Sequence, residues 1–178
     1  MIDVLRHELD RNLVVLAPTG VAALNVGGQT IHSFFQLPPG PQPVGRKLQG
    51  VSRDVIAKMD ILIIDEVSMV RADLLDAIDD SLRTNTGKTG VPFGGKTVLL
   101  IGDMHQLPPV ISGGEEARLF EEIYESPYFF SAYCLQGLTL VTRILTQSFR
   151  QADEEFVAIL NDLRVGANLE STVKELNN

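Results

Sequence analysis

Short runs of branched apolar residues recur along this chain, and each ends at a polar or glycine-bearing turn. The runs lie at residues 13–17, 61–64 and 97–101. Runs of this length and composition are typical of buried parallel strands. Apolar residues with helical spacing fill the intervals, at residues 21–25, 52–59 and 71–83. Alternation of strand and helix predicts an α/β domain in which helices flank a largely parallel sheet.

The last of these helical intervals has an apolar face formed by Leu74, Leu75, Ile78 and Leu82. Two segments favour surface loops, a proline-rich one at residues 37–45 and a glycine-rich one at residues 84–95. The C-terminal third predicts a strand near residues 138–142, with helices at residues 115–124 and 153–165.

With 178 residues, 44% of them hydrophobic, the chain is large enough for one domain with its own core. The net charge of −8 argues against a broad basic surface for nucleic acid, because such binding neutralises phosphates with Lys and Arg. Any DNA contact is therefore expected to be local, and solubility alone would also explain the acidity. No apolar run approaches the roughly 20 residues that cross a bilayer, and the N-terminus lacks a secretory signal. We expect a cytoplasmic protein, of the bacterial cytoplasm or nucleoid.

The single cysteine, Cys134, excludes an internal disulfide and a cysteine-rich zinc site, which fits a reducing compartment. We expect it to be a buried apolar filler. His7, His32 and His105 lie far apart without ligand spacing, so no transition-metal site is expected.

Asp65 and Glu66 follow four apolar strand residues and therefore stand at the carboxyl end of a strand. Ligands of open α/β sheets bind at such ends. Two adjacent carboxylates suit a nucleotide site, because one can hold the magnesium shell while the other orients and deprotonates the attacking water. Taken alone, the pair could also simply end a strand.

Asp103 and Gln106 follow the next buried strand, in a turn that Pro108 and Pro109 stiffen. An amide beside a phosphate can sense it without adding charge, so Gln106 is a candidate reporter of a terminal phosphate. A plain polar turn is the alternative.

A third strand end leads into Pro18, Thr19 and Gly20, just before a helix of small residues. The start of that helix offers free backbone amides to an anion. Thr30, His32 and Phe34 follow, with a hydroxyl, an imidazole and a ring that could hold phosphates and stack a base. Phenylalanines at such positions are more often core residues. One of Phe34 and Phe35 is expected to serve each role.

Together these segments resemble the Pif-type helicases (named for petite integration frequency) of the RecD-like branch of superfamily one. The resemblance rests on APTGVAA at residues 17–23, TIHSFF at 30–35, DE at 65–66, GDMHQLPPV at 102–110 and LTQSFRQ at 145–151.

The resemblance implies a RecA-like fold, ATP and Mg²⁺ as cofactors, single-stranded DNA and duplex junctions as partners, and work in DNA repair and recombination. It assigns the activation of water to Glu66 and magnesium, held through water, to Asp65. It places Asp103 at the nucleotide and gives Gln106 and Arg150 the sensing of the terminal phosphate. The residues expected to contact DNA are Pro18, Thr19, Gly20, Thr30, His32 and Phe34.

Members of that family begin with a strand, a glycine-rich P-loop and a helix, ahead of the strand at residues 13–17 here. Residues 1–12 resemble only the end of that helix. We therefore expect residues 1–178 to be part of a first RecA-like motor domain, without the P-loop strand or the second domain. Because phosphoryl transfer depends on positioning and charge neutralisation, the isolated chain is expected to hydrolyse ATP weakly or not at all.

Gly90, Gly95, Lys96 and Thr97 formally satisfy the P-loop pattern GxxxxGK[ST]. A phosphate loop must follow a strand and begin a helix, whereas this stretch follows a predicted helix and leads into a strand. We do not expect it to bind phosphate.

The function implied is ATP-dependent unwinding of duplex DNA, coupled to translocation on a single strand. A non-catalytic module that binds single-stranded DNA or a protein partner is the main alternative, supported by the missing P-loop. A RecA-fold ATPase that acts on something other than nucleic acid is a third possibility, which the TIHSFF segment disfavours.

Overall fold

The computed structural model describes residues 11–42, 53–146 and 154–176. The chain divides into two compact units, Met1–Gly137 and Leu138–Asn178. None of the helices in the described ranges is long and apolar enough to cross a membrane.

The first unit is built on a four-stranded parallel sheet with the order β2-β1-β3-β4. Its strands are β1 (Leu13–Ala17), β2 (Gln29–Thr30), β3 (Ile61–Ile64) and β4 (Thr97–Leu100). The predictions of three parallel strands and of the α/β class are confirmed, with β4 one residue shorter than expected. The sequence did not predict β2, because a two-residue strand carries no periodic signal.

Helices flank the sheet. In the first unit they are α1 (Gly20–Asn25), α2 (Ile31–Phe35), α3 (Arg53–Lys58), α4 (Ala72–Thr86) and α5 (Glu115–Ile123). Four of them match predicted helices, and α2 was not predicted. The core lies where α4 packs its apolar face, and Leu75, Ile78 and Leu82 are completely buried there.

Helix α4 continues three residues beyond its predicted end, so the expected loop at residues 84–95 begins late. Polar side chains explain the difference, because Asn85 Nδ2 donates to Ser81 O at 2.8 Å and Thr86 Oγ1 donates to Leu82 O at 2.8 Å. The helix ends at Gly87, whose φ of 72° is left-handed.

Two buried carboxylates of α4 fasten neighbouring segments to the helix. Asp76 accepts hydrogen bonds from the Tyr124 hydroxyl at 2.9 Å, from Cys134 N at 2.8 Å and from Tyr133 N at 3.1 Å. Cys134 is buried, as predicted, and burial together with the Asp76 charge raises the pKa of its thiol.

Asp79, at the middle of α4, fastens a second segment. Its carboxylate accepts from Arg83 Nε at 2.6 Å and from the backbone N of Phe93 at 2.5 Å. This pair anchors the 3₁₀ turn Pro92–Gly95 that precedes β4. Gly90 precedes this turn, Gly95 ends it and Thr97 begins β4. The GxxxxGK[ST] match thus leads into a strand, which is not the setting of a P-loop.

The second unit contains α6 (Glu154–Val165) and α7 (Leu169–Leu176). Helix α6 confirms the predicted helix at residues 153–165. The predicted strand near residues 138–142 is wrong, because these residues have no regular structure. Leu140 and Val141 are exposed, and within the described residues no strand pairs with this segment, so its β propensity is not realised.

Candidate functional site

The carboxyl ends of all four strands lie at one edge of the sheet, because the strands are parallel. Each strand leads directly into one of the polar segments singled out in the sequence. The strand order places Thr30, which ends β2, and Pro18–Gly20, which follow β1, on one side of this edge. It places Asp65–Glu66 and Asp103, after β3 and β4, on the other. The edge therefore separates the predicted DNA residues from the predicted nucleotide residues while keeping the two groups adjacent.

Backbone hydrogen bonds fix the carboxylate pair in position. Asp65 N donates to Leu16 O at 2.9 Å, and Val67 N donates to Ile101 O at 2.9 Å. Glu66, between these two bonds, has a φ of 51°, a left-handed conformation that is uncommon for residues other than glycine. Backbone strain of this kind often occurs at functional sites.

Gly102 allows the ends of β3 and β4 to approach each other closely. A Cβ atom on this residue would lie 2.9 Å from Val67 N and 3.0 Å from Val67 Cγ1. No larger residue fits there unless the turn that carries Glu66 moves.

The turn after Gly102 is organised by Asp103. Its carboxylate accepts from His105 N at 3.0 Å and from Gln106 Nε2 at 3.2 Å, and Gln106 N donates to Asp103 O at 3.0 Å. Asp103 therefore sets the orientation of Gln106, whose side chain is exposed at the edge.

Two threonines on the other side of the edge are helix N-caps. Thr19 Oγ1 accepts from Ala22 N at 3.2 Å at the start of α1, and Thr30 Oγ1 accepts from Ser33 N at 3.3 Å at the start of α2. Threonine favours these positions because its oxygen satisfies a backbone donor of the first turn. Each hydroxyl keeps its own hydrogen and can donate it outward, for example to a phosphate oxygen.

His32 and the two phenylalanines belong to α2. Phe35 is completely buried, whereas Phe34 is half-buried and meets its ring edge-on at 4.9 Å between centroids. Phe35 therefore takes the core role, and the base-stacking role expected of the other ring stays a prediction for Phe34. Burial, with the positive charge of Arg71, lowers the pKa of His32, while Asp73 opposes the shift. The imidazole is therefore neutral at pH 7 and offers one N–H donor.

This geometry does not test the phosphate-sensing role expected of Arg150 or the magnesium-binding role expected of Asp65. Arg150 lies outside the described residues. Within the described part of the chain, no group of three or more His, Cys, Asp or Glu side chains could hold a metal ion. Asp65 therefore stands as a single carboxylate candidate. Magnesium at nucleotide sites is commonly held by only one or two carboxylates together with the phosphates, so this arrangement fits Mg²⁺.

A polar cluster of two buried and two partly exposed side chains was not predicted; we call Gln42, Arg71, Asp73 and Glu116 the Arg71 cluster. Asp73 accepts from Arg71 Nε at 2.9 Å, from Arg71 Nη2 at 2.6 Å and from Gln42 N at 2.5 Å. Arg71 Nη1 donates to Glu116 Oε1 at 2.6 Å, and its guanidinium lies 5.2 Å from the centre of the Phe120 ring.

Charge complementarity holds the cluster together. The hydrogen bonds and charges of Asp73 and Glu116 outweigh the burial of Arg71, so its pKa is raised. The hydrogen bond from Arg71 lowers the pKa of Glu116. In the sequence, Arg71 and Asp73 are indistinguishable from ordinary charges at a helix start.

Comparison with known proteins supports the resemblance to Pif-type helicases found in the sequence. The family model described as PIF1-like helicase matches residues 1–174. The ATP-dependent DNA helicase PIF1 of Emericella nidulans is 37% identical over 169 residues, which are 92% of this chain and 21% of that protein. Human ATP-dependent DNA helicase PIF1 is 32% identical over 167 residues, which are 92% of this chain and 24% of that protein.

A solved structure of a Pif1 helicase also resembles this chain. The crystal structure of Pif1 helicase from Bacteroides in complex with ADP-AlF3 and ssDNA has a TM-score of 0.90 and 37% identity, covering 97% of this chain and 41% of that one. The expected RecA-like helicase fold is thereby confirmed. The chain spans about a fifth to a quarter of the length of these two curated relatives. Because the family match extends over nearly all of its residues, the chain belongs to the PIF1-like helicase family.

Proposed function

We propose that this chain is part of an ATP-dependent DNA helicase that couples ATP hydrolysis to translocation on single-stranded DNA and to duplex unwinding. The observation that carries the proposal is the order of strand ends along the sheet edge. The DNA candidates lie at or after the ends of β2 and β1, and the nucleotide candidates follow β3 and β4. The bond from Asp65 N to Leu16 O holds the ends of β1 and β3 side by side between them.

On the nucleotide side, Glu66 is the proposed general base, because its backbone conformation and the hydrogen bonds on either side of it fix the backbone from which its side chain extends. Asp65 would hold Mg²⁺ through water, and the bound ion would neutralise charge on the phosphate oxygens. Asp103 would position Gln106 against the terminal phosphate. Arg150 is proposed as a second phosphate sensor on the strength of its motif alone.

On the DNA side, the hydroxyls of Thr19 and Thr30 would donate to backbone phosphates, and Gly20 would let the strand approach α1 closely. His32 would add one neutral donor, and the accessible ring of Phe34 would stack a base. Pro18 shapes the turn that presents these groups. Single-stranded DNA and duplex junctions are the proposed partners, and the Bacteroides relative was crystallised with ssDNA.

The relatives are several times longer than this chain. We therefore propose that residues 1–178 form part of a first motor domain, and that the P-loop strand and a second motor domain belong to other parts of a complete protein. Its single cysteine fits a reducing compartment, and we propose the bacterial cytoplasm or nucleoid.

The test replaces Glu66 with Gln in the complete protein, with Glu122→Gln on the exposed surface of α5 as the matched control. ATP hydrolysis is measured with and without oligo(dT), and DNA affinity is measured by fluorescence anisotropy. Loss of a general base is expected to slow hydrolysis by about 10²- to 10⁴-fold while DNA affinity persists. The control should hydrolyse ATP at the unmodified rate.

Undiminished DNA-stimulated hydrolysis in Glu66→Gln would overturn the assignment of the base. If the unmodified complete protein binds DNA but does not hydrolyse ATP, it is a binding module and the helicase proposal fails.

A further inference from the structure

We propose that the Arg71 cluster is a positioning device that couples the Glu66 turn to the DNA-contact helix α2. This inference rests on the proposed function, since it names the residues through which nucleotide and DNA influence each other's binding. It does not assign the cluster any contact with either ligand.

A short, tightly bonded stretch joins Glu66 to Arg71. Met69 N donates to Glu66 O at 3.1 Å, and Val70 N donates to Val67 O at 3.0 Å, which closes the 3₁₀ turn Val67–Met69. Val70 is completely buried. A displacement of Glu66 is therefore expected to displace Arg71 as well, because packed cores deform poorly.

A second bonded path leads from the cluster to α2. The N–H of Gln42 binds Asp73, and the Gln42 side chain closes its own loop by donating to Pro38 O at 2.8 Å and to Gly40 O at 3.1 Å. Leu37 N donates to His32 O at 2.9 Å. The segment from α2 to Gln42 is thus a closed loop whose far end is attached to Asp73.

The attachment resists breaking. Asp73 is only 3% exposed, and it accepts three short hydrogen bonds, two of them from a guanidinium. Charge-assisted bonds of this kind are stronger than neutral ones, and an unpaired buried carboxylate is strongly unfavourable. When the Glu66 turn moves, the cluster is expected to move as one unit and to carry the end of the loop with it.

The same helix provides a matched comparison. Asp79, Arg83 and Phe93 repeat the chemistry of the cluster, with a buried carboxylate that accepts from an arginine and from the backbone N–H of a distant segment. They anchor the turn before β4, at the opposite edge of the sheet from the strand carboxyl ends. Both arrangements stabilise the fold, but only the Arg71 cluster connects the two halves of the candidate site.

The experiment measures the dissociation constant of the complete protein for fluorescent oligo(dT), with and without ADP-aluminium fluoride. The ratio of the two constants is the coupling between the sites. Three variants are compared with the unmodified protein: Arg71→Gln, Arg71→Lys and Arg83→Gln. Thermal unfolding is recorded for each.

Arg71→Gln is expected to bring the ratio at least about fivefold closer to one, which is the lower end of typical coupling between sites. Arg71→Lys keeps the charge but loses the bidentate fork, so its ratio should be intermediate. Arg83→Gln should lower the unfolding temperature without changing the ratio. Should Arg71→Gln fail to fold, Gln42→Pro tests the same path, because it deletes the N–H that binds Asp73 and the side-chain bonds that close the loop, and leaves Arg71 in place.

An unchanged ratio in folded Arg71→Gln or Gln42→Pro would overturn the inference and leave the proposed function standing. The inference would also be overturned if Arg83→Gln brought the ratio equally close to one, since general destabilisation would then explain the effect. A ratio of one in the unmodified protein, or no DNA binding at all, would remove the proposed function together with the inference.

Discussion

Replacing Gly102 with alanine should disturb the site with a single methyl group. The new Cβ would lie 2.9 Å from Val67 N and 3.1 Å from Ser68 N, whereas ordinary contact begins at about 3.4 Å. The neighbouring atoms are backbone and cannot rotate away. The turn that carries Glu66 must therefore retreat by about 0.5 Å, or the end of β4 must shift by as much.

The upper bound is the cost of overpacking a packed core, about 1–3 kcal/mol, because the new methyl group presses on backbone atoms although Gly102 itself is exposed. For a chain of this size each kcal/mol lowers the unfolding temperature by about 2–4 °C, so a fall of about 2–12 °C is expected. Hydrolysis by the complete protein should fall about tenfold, because misplacement of a catalytic group by about 1 Å can cost a hundredfold.

Thermal unfolding followed by circular dichroism, together with steady-state ATP hydrolysis, measures both effects. Gly113→Ala is the control, because a Cβ there meets no heavy atom within 4 Å. That variant should match the unmodified protein in both assays. If Gly102→Ala also matches it, the close approach of the two strand ends does not position Glu66, and the reasoning about this edge is wrong.

Two further predictions concern buried charge. Asp76→Ala removes the acceptor of three hydrogen bonds and leaves two backbone donors and the Tyr124 hydroxyl unpaired. Each unsatisfied donor costs about 1–3 kcal/mol, so urea denaturation should show a loss of about 3 kcal/mol or more; a loss below about 1 kcal/mol would contradict the anchoring role. NMR titration should place the pKa of His32 below its ordinary value of 6.5, and Arg71→Gln should raise it, since burial and the Arg71 charge lower it and Asp73 raises it. In the unmodified protein the unfolded chain binds the His32 proton more readily than the folded chain does. His32 should therefore reduce the free energy of unfolding as the pH falls from just above 6.5 towards its folded pKa. A measured pKa at or above 6.5 would contradict the burial argument.

Local patterns were enough to predict the parts of the fold that depend on local interactions. Branched apolar runs identified β1, β3 and β4. The polar residues directly after these runs indicated which side chains lie at the carboxyl edge of the sheet. The strand expected near residues 138–142 failed, because a strand needs a partner that its own sequence does not reveal.

The Arg71 cluster escaped prediction for a related reason. Its bonds join residues 31 and 45 positions apart, from Gln42 to Asp73 and from Arg71 to Glu116. Hydrophobic periodicity carries no information about such polar pairings, since each partner alone is an ordinary surface type. Glu66 was predicted as a catalytic candidate, but its left-handed backbone could not be, because glutamate has no preference for that conformation.

The environment of Cys134 has a practical consequence for attaching fluorescent labels to this chain. It is the only cysteine among the 178 residues, it is buried, and its raised pKa keeps the sulfur protonated at neutral pH. Maleimide dyes react with exposed thiolates, so they should leave it untouched. A cysteine introduced on an exposed surface of this chain would then accept a fluorophore at one defined position without prior removal of Cys134.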